Sequence, residues 1–276
     1  MWSIGIYSGE APDRLSPAPG IENPVLSARD VTDVPAEFVA DPFMVRSGGL
    51  WHMFFEVLNS ASRNGEIGYA TSPDGLRWSY QGIVLREPFH LSYPHVFEWK
   101  GSFFMTPETL EPGEVRLYRA DPFPHRWSLV RWLLPMRAAD PTVFRHGGLW
   151  WMFLCPRPNQ HDTLELYCAP ELGGHWTRHP RSPVVRDDGR RARPAGRMLV
   201  QGGAVTRFAQ DCHPHYGTQV RAFEIVELTP QDYREEERGI VLRPSGSGWN
   251  GMRMHHVDPH PLPQGGWIAC VDGFRL

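Results

Sequence analysis

Apolar residues in the sequence occur in short runs that end at clusters of Gly, Pro, Asn and Asp. Runs of this kind, rich in β-branched and aromatic residues, predict strands rather than helices. In the first clear example the runs lie at residues 43–46, 51–57, 67–70 and 84–85. Four short strands in succession predict one antiparallel meander.

This meander recurs along the chain. Ala-Asp-Pro at residues 40–42 returns at residues 139–141, and Gly-Gly-Leu-Trp and large apolar residues follow both copies. Altered copies start at Tyr93, at Arg193 and near His255. The starts at 41, 93, 140 and 193 are 52, 47 and 53 residues apart. Such a period is typical of propeller blades, each a four-stranded sheet.

The fifth repeat supplies two strands before the sequence ends at Leu276. Two more are predicted within residues 2–26, at residues 4–7 and 23–26, and they would close the ring without an open sheet edge. We therefore predict an all-β, five-bladed β-propeller that forms one domain over residues 1–276, with its last blade closed by the N-terminal strands. An open β-sandwich or a two-domain chain is the alternative.

Charge adds little to this picture. The chain carries 28 Lys and Arg against 31 Asp and Glu, a balance that favours neither nucleic acid nor an anionic membrane as partner. No apolar run approaches the roughly 18 residues of a membrane span, and the first residues lack a basic and apolar leader pattern. We expect a cytoplasmic protein; no pattern indicates its oligomeric state.

In a propeller the first strand of each blade lines the central channel, so the residues that start the repeats should face one another. They are Asp41, Tyr93, Asp140, Arg193 and, in the last blade, one of His255, His256 and Asp258. Their convergence predicts a polar pocket. Alternatively, Asp41 and Asp140 only cap turns, as Asp121 does in an outer turn.

The Asp-Pro starts with their following Gly-x-Trp resemble the five-bladed propeller of glycoside hydrolase family 43. Residues 93–99, 105–109, 193–196, 210–212 and 216–217 are more similar to the propeller family found at the N-terminus of plant glucosamine inositolphosphorylceramide transferases and in bacterial relatives. The resemblance covers nearly the whole chain. It implies the fold and a carbohydrate ligand, whereas a reaction must be argued from the site.

The family 43 resemblance implies that Asp41 is the general base and that Asp140 orients the general acid and tunes its pKa. The family takes its acid from a Glu in blade four. There this sequence has Arg193, Arg197, Gln210 and Asp211. Because hydrolysis needs one protonated and one ionised carboxyl group, we consider Glu108 first and Asp211 second as the acid. The alternative for Glu108 is a loop carboxylate bonded to backbone N–H groups.

Other residues are expected to contact the sugar. They are Tyr93, His95, Arg193, Arg197, Gln210, His255, His256 and Trp249. Trp249 lies in the glycine-rich loop 246–251 outside the repeat, where it could stack on a sugar ring. His255 and His256 lack partners at a known ligand spacing, so we predict no metal site and no cofactor, although the resemblance leaves a hydrated cation in the channel open.

The sequence thus favours a carbohydrate-active enzyme, most simply an inverting glycoside hydrolase that acts on a small glycoside or oligosaccharide. The alternatives are a non-catalytic glycan-binding or accessory propeller and a partner of a sugar-modifying transferase. The surroundings of the carboxylates separate these hypotheses. Hydrolysis is excluded if Arg side chains or backbone donors bind every carboxylate in the channel.

Overall fold

The computed structural model describes residues 1–276 and contains five antiparallel sheets. The only helices are two 3-10 turns, Ala28–Asp30 and Gly248–Asn250, and neither has the length and apolarity that crossing a membrane requires. Each sheet is one blade of a ring. The predicted five-bladed β-propeller is therefore confirmed.

The chain begins with β1 (Trp2–Ala11) and β2 (Arg14–Pro17), which belong to blade V. Blade I contains β3 (Ala36–Ser47), β4 (Leu50–Asn59), β5 (Asn64–Ser72) and β6 (Ser79–Leu85). Blade II contains β7 (Ser92–Trp99), β8 (Ser102–Glu108), β9 (Val115–Ala120) and β10 (Trp127–Leu134). Blade III contains β11 (Ala139–His146), β12 (Leu149–Cys155), β13 (Glu165–Ala169) and β14 (Thr177–Arg178). Blade IV contains β15 (Arg193–Pro194), β16 (Leu199–Gln201), β17 (Ala204–Asp211), β18 (Gln219–Leu228) and β19 (Tyr233–Leu242), and blade V adds β20 (Val257–Pro261) and β21 (Trp267–Phe274).

Blade V is closed by the N-terminal strands, as predicted. β1 pairs with β21 from Trp2 opposite Phe274 to Gly9 opposite Trp267. The outermost strand differs from the prediction, because it is β2 and not residues 23–26. The two residues Pro12-Asp13 turn the chain straight back along β1, so residues 23–26 are left with a single bridge to that strand.

The apolar core is divided into five clusters, one between each pair of adjacent blades. Between blades I and II, for example, Phe54 and Tyr69 pack with Phe103 and Trp127. The cluster between blades V and I joins Ile4 and Ile6 to the apolar face of blade I. Full burial of each large side chain contributes about 1.5–3 kcal/mol, so the contacts between blades hold the ring together.

A bulge interrupts the inner strand of blades I, II and III at the start of each sequence repeat. The pairing register shifts between Ala40 and Phe43, between Ser92 and His95, and between Ala139 and Thr142. Within these bulges Asp41, Tyr93 and Asp140 have φ angles of 52°, 46° and 52°, a conformation that costs side-chain-bearing residues about 1–2 kcal/mol. A bulge re-aims its side chains, and here it lies at one mouth of the channel.

Blade IV approaches the axis differently. Its innermost strand β15 has only two residues, and Gly196 follows with a φ angle of 130°. A Cβ atom at this position would lie 1.8 Å from the carbonyl oxygen of Val257 in blade V. Only glycine permits this contact, in which the backbone N–H of Val257 also donates to Ala195 at 2.9 Å.

We expect Gly196→Ala to lower the free energy of unfolding by at least about 2 kcal/mol, because it adds a backbone clash and a strained φ angle. Urea denaturation would measure the loss. Gly202→Ala is the matched control, since Gly202 also has a positive φ angle but open space around the added Cβ. Equal losses in the two variants would contradict a close contact between blades IV and V.

Candidate functional site

A cavity of about 220 Å³ opens at the mouth of the channel where the bulges lie. Four of the five blades contribute to it. Its lining residues are Trp2, Phe38, Ala40, Asp41, Glu56, His90, Ser92, Glu108, Arg193, Tyr216 and His255. We call this cavity the acidic pocket because three of its lining residues carry carboxyl groups.

One side of the acidic pocket is built on a buried Asp-His pair behind Asp41. His255 Nδ1 lies 2.6 Å from Asp272 Oδ2, and Nε2 lies 3.7 Å from Asp41 Oδ1. Asp272 also accepts the backbone N–H groups of Asp41, His255 and His256. Asp272 therefore fixes both the backbone of Asp41 and the imidazole that faces it.

These groups shift one another's proton affinities. Burial raises the pKa of Asp41 well above its usual value, and the charge of His255 opposes the shift. Burial disfavours the charged imidazole of His255, but Asp272 and Asp41 more than offset this and raise the pKa of His255. Trp2 stacks on the His255 ring with centroids 4.0 Å apart, so a charged His255 would also gain from the aromatic face.

The other side of the acidic pocket is organised by Arg193. Its Nε lies 2.5 Å from Asp140 Oδ2, and its Nη2 lies 3.3 Å from Glu108 Oε2. The same oxygen of Glu108 accepts the backbone N–H of Asp140 at 3.1 Å, and Gln210 donates to Asp140 Oδ2 at 3.0 Å. Glu108 Oε2 is thus occupied, whereas Oε1 makes no hydrogen bond within the protein.

Glu108 is held protonated near neutral pH. Burial, aided by the Asp140 carboxylate, raises the pKa of Glu108 to about 8, although Arg193 acts in the opposite direction. Arg193 lies closer to Asp140 than to Glu108, at 2.5 Å against 3.3 Å. The two neighbouring carboxyl groups therefore share one guanidinium group at different distances.

Tyr216 connects the two sides. Its ring lies 5.1 Å from the Arg193 guanidinium and packs edge-on against His255, with centroids 5.2 Å apart. We did not predict Tyr216, Trp2 or Asp272 as site residues. Tyr216 falls within a segment that carries the family resemblance, whereas Trp2 and Asp272 belong to strands without the repeat motif.

Several predicted residues lie deeper in the channel. The hydroxyl of Tyr93 bonds to Thr142 at 2.8 Å and to the backbone of Gly196. His256 packs against Tyr93 and Phe43 and makes no hydrogen bond through its ring; burial lowers its pKa to about 4. These residues fill the channel below the acidic pocket.

The remaining predicted residues lie elsewhere. His95 and Arg197 line a cavity of about 340 Å³ at the opposite end of the inner strands. Asp211 pairs with Arg221 at 2.9 Å, and Gln219 also donates to it. Trp249 lies so close to Gly5 and Gly273 that its ring would collide with a Cβ atom at either position. None of the four lines the acidic pocket.

The hydrated cation of the family 43 resemblance can be tested against the residues present. Asp41, His255 and Asp272 each offer one ligand atom, and the three atoms lie within 4.8 Å of one another. Two carboxylates and one imidazole suit a divalent cation that keeps water in its other positions. These three residues would hold such an ion, and its positive charge would lie against the Asp41 carboxyl group.

Fold and site together define a five-bladed propeller with a carboxylate-lined pocket on its axis. The chain matches the family described as glucosamine inositolphosphorylceramide transferase 1, N-terminal, over residues 1–274, and it belongs to that family. It is 36% identical to glucosamine inositolphosphorylceramide transferase 1 of Oryza sativa subsp. japonica over 298 aligned residues. That alignment covers the whole chain but 40% of the relative, so the chain spans about two fifths of its length.

Solved structures share the fold at low sequence identity. The catalytic domain of the Coprinopsis cinerea GH62 α-L-arabinofuranosidase has a TM-score of 0.64 and 13% identity, with 98% of this chain and 97% of that chain covered. A family 117 glycoside hydrolase of Zobellia galactanivorans has a TM-score of 0.55 and 15% identity, with 85% and 84% covered. The fold of this chain is therefore shared with glycoside hydrolases.

We expect Glu108→Gln to flatten the dependence of stability on pH. The folded-state pKa of about 8 exceeds the usual 4.5, so the stability linked to this proton is complete below pH 4.5 and is lost as pH rises through 8. As pH rises from 4.5 to 8, the free energy of unfolding of the variant should therefore increase relative to that of the wild type. Denaturant titrations at a series of pH values would measure it.

Glu98→Gln is the control for this prediction. Glu98 is exposed and lies near the opposite end of β7, in the lining of the other cavity. An identical pH profile in the two variants would show that the Glu108 carboxyl group is not held protonated.

Proposed function

We propose that the acidic pocket binds a sugar residue and hydrolyses its glycosidic bond, with Glu108 as general acid and Asp41 as general base. The observation that carries the proposal is that these two carboxyl groups line the same 220 Å³ cavity while Arg193 pairs with Asp140 beside them. The family and the shared glycoside hydrolase fold support a glycan-related function.

Glu108 suits the role of acid. Its Oε2 receives the Asp140 N–H and an Arg193 N–H, so the proton belongs on Oε1, which is free to donate. In the reaction that proton passes to the glycosidic oxygen as the bond to the anomeric carbon breaks. The Arg193 guanidinium and the backbone N–H of Asp140 then stabilise the carboxylate left on Glu108.

Asp41 suits the role of base because no Arg side chain binds its carboxylate. Its nearest cationic group is His255, which Asp272 holds in place. Burial raises the pKa of Asp41, and the charge of a protonated His255 opposes this shift, so His255 favours the ionised form that a base requires. Asp41 then takes a proton from water as the water oxygen bonds to the anomeric carbon, which inverts the configuration. Trp2 and Tyr216 offer aromatic faces to the sugar ring.

Arg193 also favours a second function for the acidic pocket. Arg193 contacts Glu108 as well as Asp140, and its charge opposes the raised pKa of Glu108, which works against the protonated form that a general acid needs. In this alternative the acidic pocket only holds a glycan. Because the relatives are named transferases and are longer than this chain, such a propeller would serve as the glycan-binding part of a sugar-transferring system.

We expect Asp41→Asn and Glu108→Gln each to lower kcat by about 10²–10⁴-fold, the usual contribution of a general acid or base, with sugar affinity retained. A screen of aryl glycosides and oligosaccharides, followed by NMR of the first-formed anomer, would measure this. Glu98→Gln should behave as wild type.

Three results bear on the choice between the two functions. Equal turnover in Asp41→Asn and wild type would remove Asp41 from the mechanism. Retention of anomeric configuration would exclude its role as base. Sugar binding without turnover in the wild type would establish the glycan-binding alternative.

A further inference from the structure

A second cavity, of about 290 Å³, adjoins the acidic pocket on the side of blades I and II. It is lined by Arg63, Asn64, His90, Glu108, Leu110, Glu111 and Arg137, and we call it the arginine cleft. His90 and Glu108 line both cavities. The two cavities are therefore neighbours that meet at these two side chains.

The two arginines of the cleft have no partner. On the neighbouring surface Arg86 pairs with Glu66 at 2.8 Å, and Arg116 pairs with Glu114 at 2.9 Å. The guanidinium groups of Arg63 and Arg137, by contrast, are exposed and take part in no ion pair and no side-chain hydrogen bond within the protein. Their ten N–H donors are available to a ligand.

Arg63 is presented by a constrained turn between β4 and β5. Its φ angle is 62°, and its backbone N–H donates to Asn59 at 2.8 Å. Asn59 is itself fixed, because its side chain donates to Glu66 and accepts the N–H of Ala61. The turn therefore holds the base of Arg63 in one place while the guanidinium stays free.

The acidic residues of the cleft do not neutralise these arginines. Glu108 is engaged with Arg193 and the Asp140 backbone, and Glu111 accepts the backbone N–H of His90 at 3.4 Å. His90 in turn pairs with Glu56 at 3.0 Å. Two guanidinium groups thus share the cleft with one carboxylate, Glu111, that forms no ion pair, and the carboxyl-lined acidic pocket lies next to them.

We propose that the arginine cleft is a subsite for an oxyanion, carried by the group to which the bound sugar is joined. The ligand would then be a glycoside with a neutral or basic sugar in the acidic pocket and a carboxylate or phosphate ester in the cleft. Paired guanidinium groups bind such oxygens through charge-assisted and bidentate hydrogen bonds. This inference rests on the proposed function for the position of the sugar, but binding of the oxyanion requires no turnover.

The experiment is calorimetric titration with glucose 1-phosphate, glucuronate and neutral methyl glucoside. We expect the wild type to bind an anionic probe more tightly than the neutral one, and Arg63→Gln and Arg137→Gln each to weaken anion binding by about tenfold or more. Arg243→Gln is the matched control, since Arg243 is an exposed arginine in blade IV that lies outside both cavities. Added salt should weaken binding of the two anionic probes and leave binding of methyl glucoside unchanged.

The two anionic probes distinguish the sources, because a phosphate subsite prefers glucose 1-phosphate and a carboxylate subsite prefers glucuronate. Equal affinity for charged and neutral probes, or the same loss in Arg243→Gln as in the cleft variants, would overturn the subsite. Turnover of neutral glycosides by the wild type would then leave the hydrolase proposal standing. Anion binding without turnover of any glycoside would support the oxyanion subsite and contradict the hydrolase proposal.

Discussion

The left-handed backbone at Asp41, Tyr93 and Asp140 is the constraint on which the site depends. At each of these residues a bulge shifts the pairing of the inner strand. Two of the buried N–H groups in these bulges donate to carboxyl groups, Asp41 to Asp272 and Asp140 to Glu108. A buried N–H group without a partner costs about 1–3 kcal/mol. The carboxylates that stabilise the bulges therefore lie in or directly behind the pocket, so structure and chemistry depend on the same groups.

Features that repeat could be predicted from the sequence. The bulge residues recur at a blade-like period, and this period predicted that Asp41, Arg193 and one of His255, His256 and Asp258 face one another, while Glu108 followed from the need for an acid. Residues whose position arises from contacts far apart in the chain could not be found this way. Trp2 reaches the pocket only because β1 closes blade V, and Trp249 packs where Gly5 and Gly273 leave room for its ring.

The two ends of the channel differ in kind. At the far end Arg197 pairs with Asp258 at 2.7 Å and donates to the carbonyls of Met44 and Val96, which ties blades I, II and V together. Tyr93 and His256 fill the middle. Arg197 and Asp258 are thus satisfied by the protein at the far end, whereas at the other end Glu108 Oε1 makes no hydrogen bond within the protein.

The pairing of β1 with β21 affects the order in which parts of the protein fold. Trp2 and Phe274 are almost the whole chain apart, yet they lie opposite each other in blade V, and contacts of such long sequence separation form late because they carry a large loop-closure cost. The strands of blades I to III pair with neighbours in sequence. The wall formed by Trp2, His255 and Asp272 depends on the pairing of the first strand with the last, so the acidic pocket is complete only when that long-range contact has formed.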